Sequence, residues 1–176
     1  MGNKVTAAVT AVSGYVPEKI LSNKDLEKLV DTNDEWITSR TGIKERRICA
    51  KGEALSDMGT KVVLDICKKR GISPEEIDLI VVGSITGDYR FPSAANVICD
   101  KAGAKNAWGF DVSAACSGFL YAMTIGTQFI ENNTHSKVIV LGMDVMSSII
   151  DYTDRATCII FGDGGGGVLL EPNEEG

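Results

Sequence analysis

The chain has 176 residues, 44% apolar and 24% charged, ordinary proportions for a globular domain that can bury its own core. Its formal net charge of −6 argues against non-specific nucleic-acid binding, which needs a positive surface. No apolar run reaches the roughly 18 residues of a membrane span, and no charged-then-apolar secretion signal opens the chain.

"MGNKVT" fits a myristoylation template at Gly2, but the competing reading is simply the approach to a first strand. "VTAAVTAVSGYVP" alternates loosely and predicts that strand, turning at Gly14 and Pro17. "SNKDLEKLV" starts with cap-type residues and sets Leu26, Leu29 and Val30 at helical spacing. "DTNDEWITSRTG" predicts a second short helix, capped near Thr32 or Asn33 and stopped by Gly42. "ALSDMGTKVVLDICKKRG" predicts a longer one, with Met58, Val62, Leu64 and Ile66 roughly on one side and cations in the last turn. After a connector, "LIVVGS" reads as a strand covered on both faces. "PSAANVICDKAG" predicts a helix, "AWGFDVSAA" a strand, "CSGFLYAMTIGTQFIENN" a helix and "KVIVLGMDV" another buried strand. The remainder predicts a short helix, a glycine turn and a last strand. Alternating strands and helices indicate one α/β unit, layered αβα, with a mostly parallel sheet.

Five cysteines, an odd number with no C-x-x-C pair, argue against a zinc site or a disulfide framework and make a reducing cytoplasm the default. Cys67, Cys99 and Cys158 read as small buried hydrophobes and Cys49 as a loop thiol. Cys116 differs. It lies in "DVSAACSGF", among small residues, where a strand gives way to an apolar helix carrying Phe119, Leu120, Met123, Thr127 and Ile130 on one stripe and the small Ala122 and Gly126 on another. A free thiol has a pKa of about 8.5, and a helix N-terminus lowers it. The same N–H groups can hold a developing oxyanion. Position and neighbours suggest a nucleophile that becomes acylated; the alternative is an inert buried cysteine.

"DTNDEWITSRTGIKERRI", "FPSAA", "DVSAACSGFLYAM" and "DRATCIIFGDGGGG", in this order, closely resemble the β-ketoacyl-acyl-carrier-protein synthase III family, the condensing enzymes that start type II fatty acid synthesis. The resemblance runs from about Val5 to Leu170. It implies a thiolase-like fold of two similar halves, with 1–176 as the N-terminal half, a five-stranded sheet, and a buried central helix starting at the catalytic cysteine. Cys116 would take an acyl group, typically acetyl, from acyl-CoA. Malonyl-acyl carrier protein would then lose CO₂ and condense with the thioester to give a 3-oxoacyl-acyl carrier protein. The CoA thioester is a substrate, so no cofactor is implied. CoA contacts map onto Thr32, Trp36, Arg40, Arg155 and Ala156, the last standing where the family often has glycine. Trp36 offers a face for adenine and the arginines offer cations for phosphate; a core tryptophan and two surface arginines are the alternative. Phe91 and Phe161 map onto the acyl pocket, Phe91 on a segment that crosses a homodimer interface. The family's catalytic His and Asn fall beyond the end of this chain. The single histidine, His135, lies about five helical turns from Cys116 and cannot replace them. "KERR" at Lys44–Arg47 reads either as a contact for CoA phosphate or an acidic carrier protein, or as a solvated basic edge. The glycine run at Gly164–Gly167 lacks a P-loop ending and reads as a tight turn. The expected partners are acyl-CoA, malonyl-acyl carrier protein, the chain's own C-terminal half and a second copy, with no nucleic acid or membrane. A non-catalytic dimerising half and a cysteine-dependent thioester hydrolase are the alternatives.

Overall fold

The computed structural model describes residues 5–173; the Gly2 template and the chain end at Gly176 lie outside them. In chain order, strand β1 (Thr6–Tyr15) leads to β2 (Lys19–Ser22), helices α1 (Asn23–Leu26) and α2 (Asp34–Thr41), and strand β3 (Glu45–Ile48). Then come α3 (Leu55–Arg70), β4 (Leu79–Gly83), α4 (Ala94–Ala102) and β5 (Trp108–Val112). Helix α5 (Gly118–Glu131), β6 (Val138–Val145) and β7 (Asp163–Asn173) follow. The main sheet has the order β1-β7-β6-β4-β5. Strand β4 is parallel to β5 and β6, whereas β7 runs against both β6 and β1, so four of the five strands point one way. This is the mostly parallel, layered α/β sheet the sequence predicts.

Period-two alternation divides the strands between two faces. Ile80, Val82, Ile139 and Leu141 pack under α3 and α4 in one core, while Leu79, Val81, Val138 and Val140 pack under α5 in another. On α3 the buried stripe is Leu55, Met58, Val62 and Ile66. Leu64, expected on that stripe, is 43% exposed, because a residue two positions from Val62 and Ile66 points to the far side of a helix. Gly71, in the left-handed region at φ +73°, ends α3 and returns its N–H to the Cys67 carbonyl.

Helix α5 departs from expectation at its start: it begins at Gly118, and Cys116 occupies the preceding 3-10 turn, Ala115–Ser117. Its buried series is Gly118, Ala122, Gly126 and Ile130, mostly the small residues that allow close approach. The helix lies so close to the sheet that a Cβ on Gly126 would stand 2.8 Å from Val140 Cγ2. Leu120 is therefore 64% exposed, and α5 is covered on its sheet side alone within this chain.

Three further expectations are corrected. The glycine run is no turn: Gly164–Gly167 lie inside β7, hydrogen-bonded between β6 and β1. A Cβ on Gly165 would meet Met143 Cβ at 2.1 Å, so the strand fits only without side chains there. The short helix expected in Asp151–Phe161 is a run of turns, in which Asp151 accepts the Thr153 N–H at 2.8 Å and Asp154 the Ala156 N–H at 2.9 Å, bonds that compete with helix. "KERR" is not a solvated edge. Arg46 is 3% exposed, donating to Asn23 Oδ1 and the Ile159 carbonyl, and β3 pairs with β2 in a small antiparallel sheet. Lys44 and Glu45 of that segment are exposed, and Arg47 is half-buried.

Candidate active site

Strand β5 ends at Val112, and the chain turns sharply into α5 through Ala115, whose φ of +44° is unusual for a residue with a side chain. The Ser117 N–H closes the turn on the Ala114 carbonyl at 3.0 Å. Two glycines of the sheet then allow α5 to start directly above it. A Cβ on Gly83 would lie 2.4 Å from the Gly118 carbonyl carbon, and one on Gly142 would lie 2.7 Å from Phe119 Cβ. The small residues around Cys116 thus have a cause: they let the helix N-terminus seat on β4 and β6 while the thiol stays at the surface.

Cys116 is exposed and lines a cleft of about 500 Å³ with Phe119, Asp144, Gly142, Gly164 and Gly166. The glycines leave backbone as the cleft wall, so a flat thioester carbonyl can approach the sulfur. The other cysteines are in the opposite state. Cys67, Cys99 and Cys158 are buried, and burial raises their thiols, Cys99 to about 11. Burial, with Asp163 and Glu53 nearby, pushes half-buried Cys49 up to about 12. Asp144 is a cleft residue already engaged: it accepts from Ser84 Oγ (2.9 Å), the Ile85 N–H (2.9 Å) and Thr86 Oγ1 (2.8 Å). Sequence reasoning missed this anchor, and nothing in "LGMDV" marks it.

A second constellation forms around Trp36. The Asn33 side chain caps α2 by accepting the Trp36 N–H at 2.7 Å. The Arg40 guanidinium carbon stands 4.5 Å and that of Arg155 4.9 Å from the Trp36 ring centroid. An aromatic face and two cations, residues expected together from the sequence, therefore do meet, across more than a hundred positions. Such a group suits a planar base beside phosphate. Thr32 Oγ1 is buried with no hydrogen-bond partner among the described residues. Ala156 is exposed in the same turn as Arg155.

The remaining candidates lie apart. Phe91 is 89% exposed on the loop between β4 and α4. Phe161 is half-buried; the residue after it, Gly162, reaches the cleft lining. His135 sits just beyond the far end of α5, where its Nε2 accepts from Trp108 Nε1 at 3.0 Å and its ring meets Phe129 edge-on. The helix between it and Cys116 is about 21 Å long at 1.5 Å per residue. Among the described residues there is no group of His, Cys, Asp and Glu arranged to hold a metal, and no helix is long and apolar enough to cross a membrane.

The chain is similar to several known proteins. A family described as 3-oxoacyl-[acyl-carrier-protein (ACP)] synthase III matches residues 110–176. The β-ketoacyl-[acyl-carrier-protein] synthase III of Koribacter versatilis is 55% identical over 170 residues, covering 97% of this chain and 51% of the relative. That of Chlorobaculum tepidum is 58% identical over 172 residues, 97% of this chain and 52% of its own. The crystal structure of 3-oxoacyl-[acyl-carrier-protein] synthase III from Aquifex aeolicus superposes with a TM-score of 0.91 at 43% identity, over 97% of this chain and 54% of that one. A priming β-ketosynthase of a polyketide biosynthetic pathway gives a TM-score of 0.93 at 35% identity, over 99% and 52%. The chain spans about half the length of the curated relatives it matches.

Proposed function

Because this chain belongs to the 3-oxoacyl-[acyl-carrier-protein] synthase III family, we propose that it carries the acyl-accepting cysteine and the CoA-facing surface of an acyltransferase that starts fatty acid chains. The observation that carries this reading is Cys116: an exposed thiol on a glycine-walled cleft, while the other cysteines are buried or half-buried. The Cys116 sulfur attacks the carbonyl carbon of an acyl-CoA, typically acetyl-CoA. The new C–S bond forms as the bond to CoA breaks, and CoA leaves as a thiol with the proton Cys116 gives up. Trp36, Arg40 and Arg155 hold the nucleotide end of CoA, with Thr32 and Ala156 beside them. In the second stage malonyl-acyl carrier protein loses CO₂, its carbanion attacks the Cys116 thioester, and the 3-oxoacyl product leaves on the carrier while the sulfur is freed.

In this reading residues 1–176 are the N-terminal half of each protomer of a cytoplasmic homodimer. The C-terminal half covers α5 and brings the histidine and asparagine of the condensation step. Phe91, projecting from its loop, closes the acyl pocket of the partner copy, and Phe161 borders the chain's own. Intact mass after incubation with acetyl-CoA tests the first stage. A stable acetyl adduct on Cys116 is expected. Rapid release of free acetate points instead to a thioester hydrolase, and no reaction with the full-length protein to a non-catalytic dimerising half.

A further inference from the structure

We propose that Asp111 is a positioning residue for primer choice, fixing the Phe91 loop to the strand that leads into Cys116. The inference rests on the acyl-pocket role of Phe91 proposed above and adds what sets that residue's place.

The loop between β4 and α4 carries Phe91 almost free of contact, at 89% exposed. A side chain without packing of its own is located by its backbone, and the backbone here is held by three carboxylates. Asp144 of β6 takes the first residues through Ser84, Ile85 and Thr86. Asp88, in the middle, accepts the Ser56 N–H at 3.0 Å and the Ser56 hydroxyl at the start of α3. Asp111 holds the end closest to Phe91: its two oxygens accept the Ala94 and Ala95 N–H groups at 2.7 and 2.9 Å.

Two features separate Asp111 from an ordinary helix cap. Helix α4 already has one, since Ser93 Oγ accepts the Asn96 N–H at 3.3 Å. The second acceptor is borrowed from a strand 16 and 17 positions away and binds the first two helical amides, where a negative charge is favoured by the free N–H groups and the dipole. These charge-assisted bonds tie the third and fourth residues after Phe91 to the strand residue five positions before Cys116. The residue that closes the partner copy's pocket is therefore referenced to β5, the strand that leads into this chain's own Cys116. Weakening the tie moves Phe91 relative to the thioester on the partner copy's cysteine. Long and short primers then feel the change unequally, whereas simple destabilisation would lower both alike.

The test uses the full-length enzyme with Asp111→Asn, Phe91→Ala and the double variant. The readouts are amide hydrogen exchange at Ala94 and Ala95 and the rates of Cys116 acylation by a two-carbon and an eight-carbon acyl-CoA. In Asp111→Asn, exchange at the two amides should rise and the ratio of the two acylation rates should shift by about threefold, a fraction of what a full methylene mismatch gives. In the Phe91→Ala background the same substitution should leave the ratio unchanged, because the effect passes through Phe91. A ratio unmoved by Asp111→Asn, or moved equally in both backgrounds, overturns the inference and leaves the acyltransferase reading intact. Failure of the parent enzyme to form any acyl adduct overturns that reading, and this inference with it, whatever the exchange data show.

Discussion

The two faces of the main sheet are finished to different degrees. Under α3 and α4, Met58, Val62, Ile66, Ile80, Ile98 and Leu141 are all 1% exposed or less. Under α5 the strand residues Val81 and Val140 are equally buried, but Phe119, Met123 and Phe129 on the helix are only partly covered, and Leu120 and Tyr121 are 64% and 56% exposed. Both faces obey the same alternation, so the contrast comes from the helices. Two helices close one side; a single glycine-bearing helix sits on the other and leaves its large side chains outward. The closed face supplies rigidity, and the open face presents chemistry and a surface to be covered. The cysteines follow the same division: Cys67 and Cys99 sit in the closed core, and Cys116 stands at the edge of the open one.

The strongest way to break this contrast is chemical. With limiting iodoacetamide on the folded protein, Cys116 should take essentially all of the label, because buried thiols are both inaccessible and held neutral. Cys116→Ala should abolish native-state labelling and acyl transfer while leaving the denaturation midpoint nearly unchanged, since a small exposed side chain is replaced by a smaller one. Peptide mapping that finds Cys49 or Cys158 labelled first would erase the distinction.

Truncation measures the same contrast in stability. Ile98 fills the notch left by Gly59, where an added Cβ would fall 2.4 Å from Ile98 Cδ1. In residues 1–176 without the C-terminal half, Ile98→Ala should cost about 2–5 kcal/mol in urea unfolding, and Leu120→Ala no more than about 0.5 kcal/mol. Comparable losses at the two sites would mean that α5 is not an open face. Between them lies Gly126→Ala. Its Cβ would meet Val140 Cγ2 at 2.8 Å and Leu170 Cδ1 at 3.3 Å, but an uncovered helix can shift outward. The expected cost is about 1 kcal/mol, the low end for overpacking, with the midpoint measured in the same series.

The sequence carried the main-sheet strands and main helices because their patterns are local: "LIVVG" and "VIVLG" are unbroken apolar runs, and Ser93 and Gly103 bracket α4 with its own caps. It also singled out Cys116, which the structure leaves exposed, and Trp36, Arg40 and Arg155, which the structure brings into contact. It did not show β2 and β3, four-residue strands that exist through their pairing with each other. What it concealed depends on contacts between distant segments. The four glycines of β7 look like a turn until Met143 and Leu141 are seen to occupy the space that side chains on Gly165 and Gly167 would need. Arg46 looks like a surface cation until Asn23 and the Ile159 carbonyl close around it. The small residues of α5 lie against the sheet because size, not hydrophobicity, decides which face can approach it this closely. Asp144 carries no motif, and Asp111 opens the Cys116 motif without showing what it binds; their roles exist only in the bonds they accept.

The smallest expected effect sharpens the comparison at a single atom type. Burial raises the Cys99 thiol from its ordinary 9.0 to about 11, and this side chain is 7% exposed in the closed core. The folded state thus favours the neutral thiol. Below pH 9.0 the thiol is protonated in both states and its contribution to stability is fully present. Above that value the unfolded chain releases the proton while the folded chain keeps it until about 11, so stability falls as pH rises through this window. By about pH 10 the loss assigned to Cys99 is on the order of 1 kcal/mol. Urea unfolding at pH 7.5 and 10 (chosen to bracket the window) reads this as a difference of differences. The parent protein should lose more stability across the interval than Cys99→Ala does, by roughly that amount. Comparing each protein with itself cancels the packing cost of the substitution. A parent and a Cys99→Ala variant that decline equally would place Cys99 in contact with solvent, and the closed face would be closed in name alone.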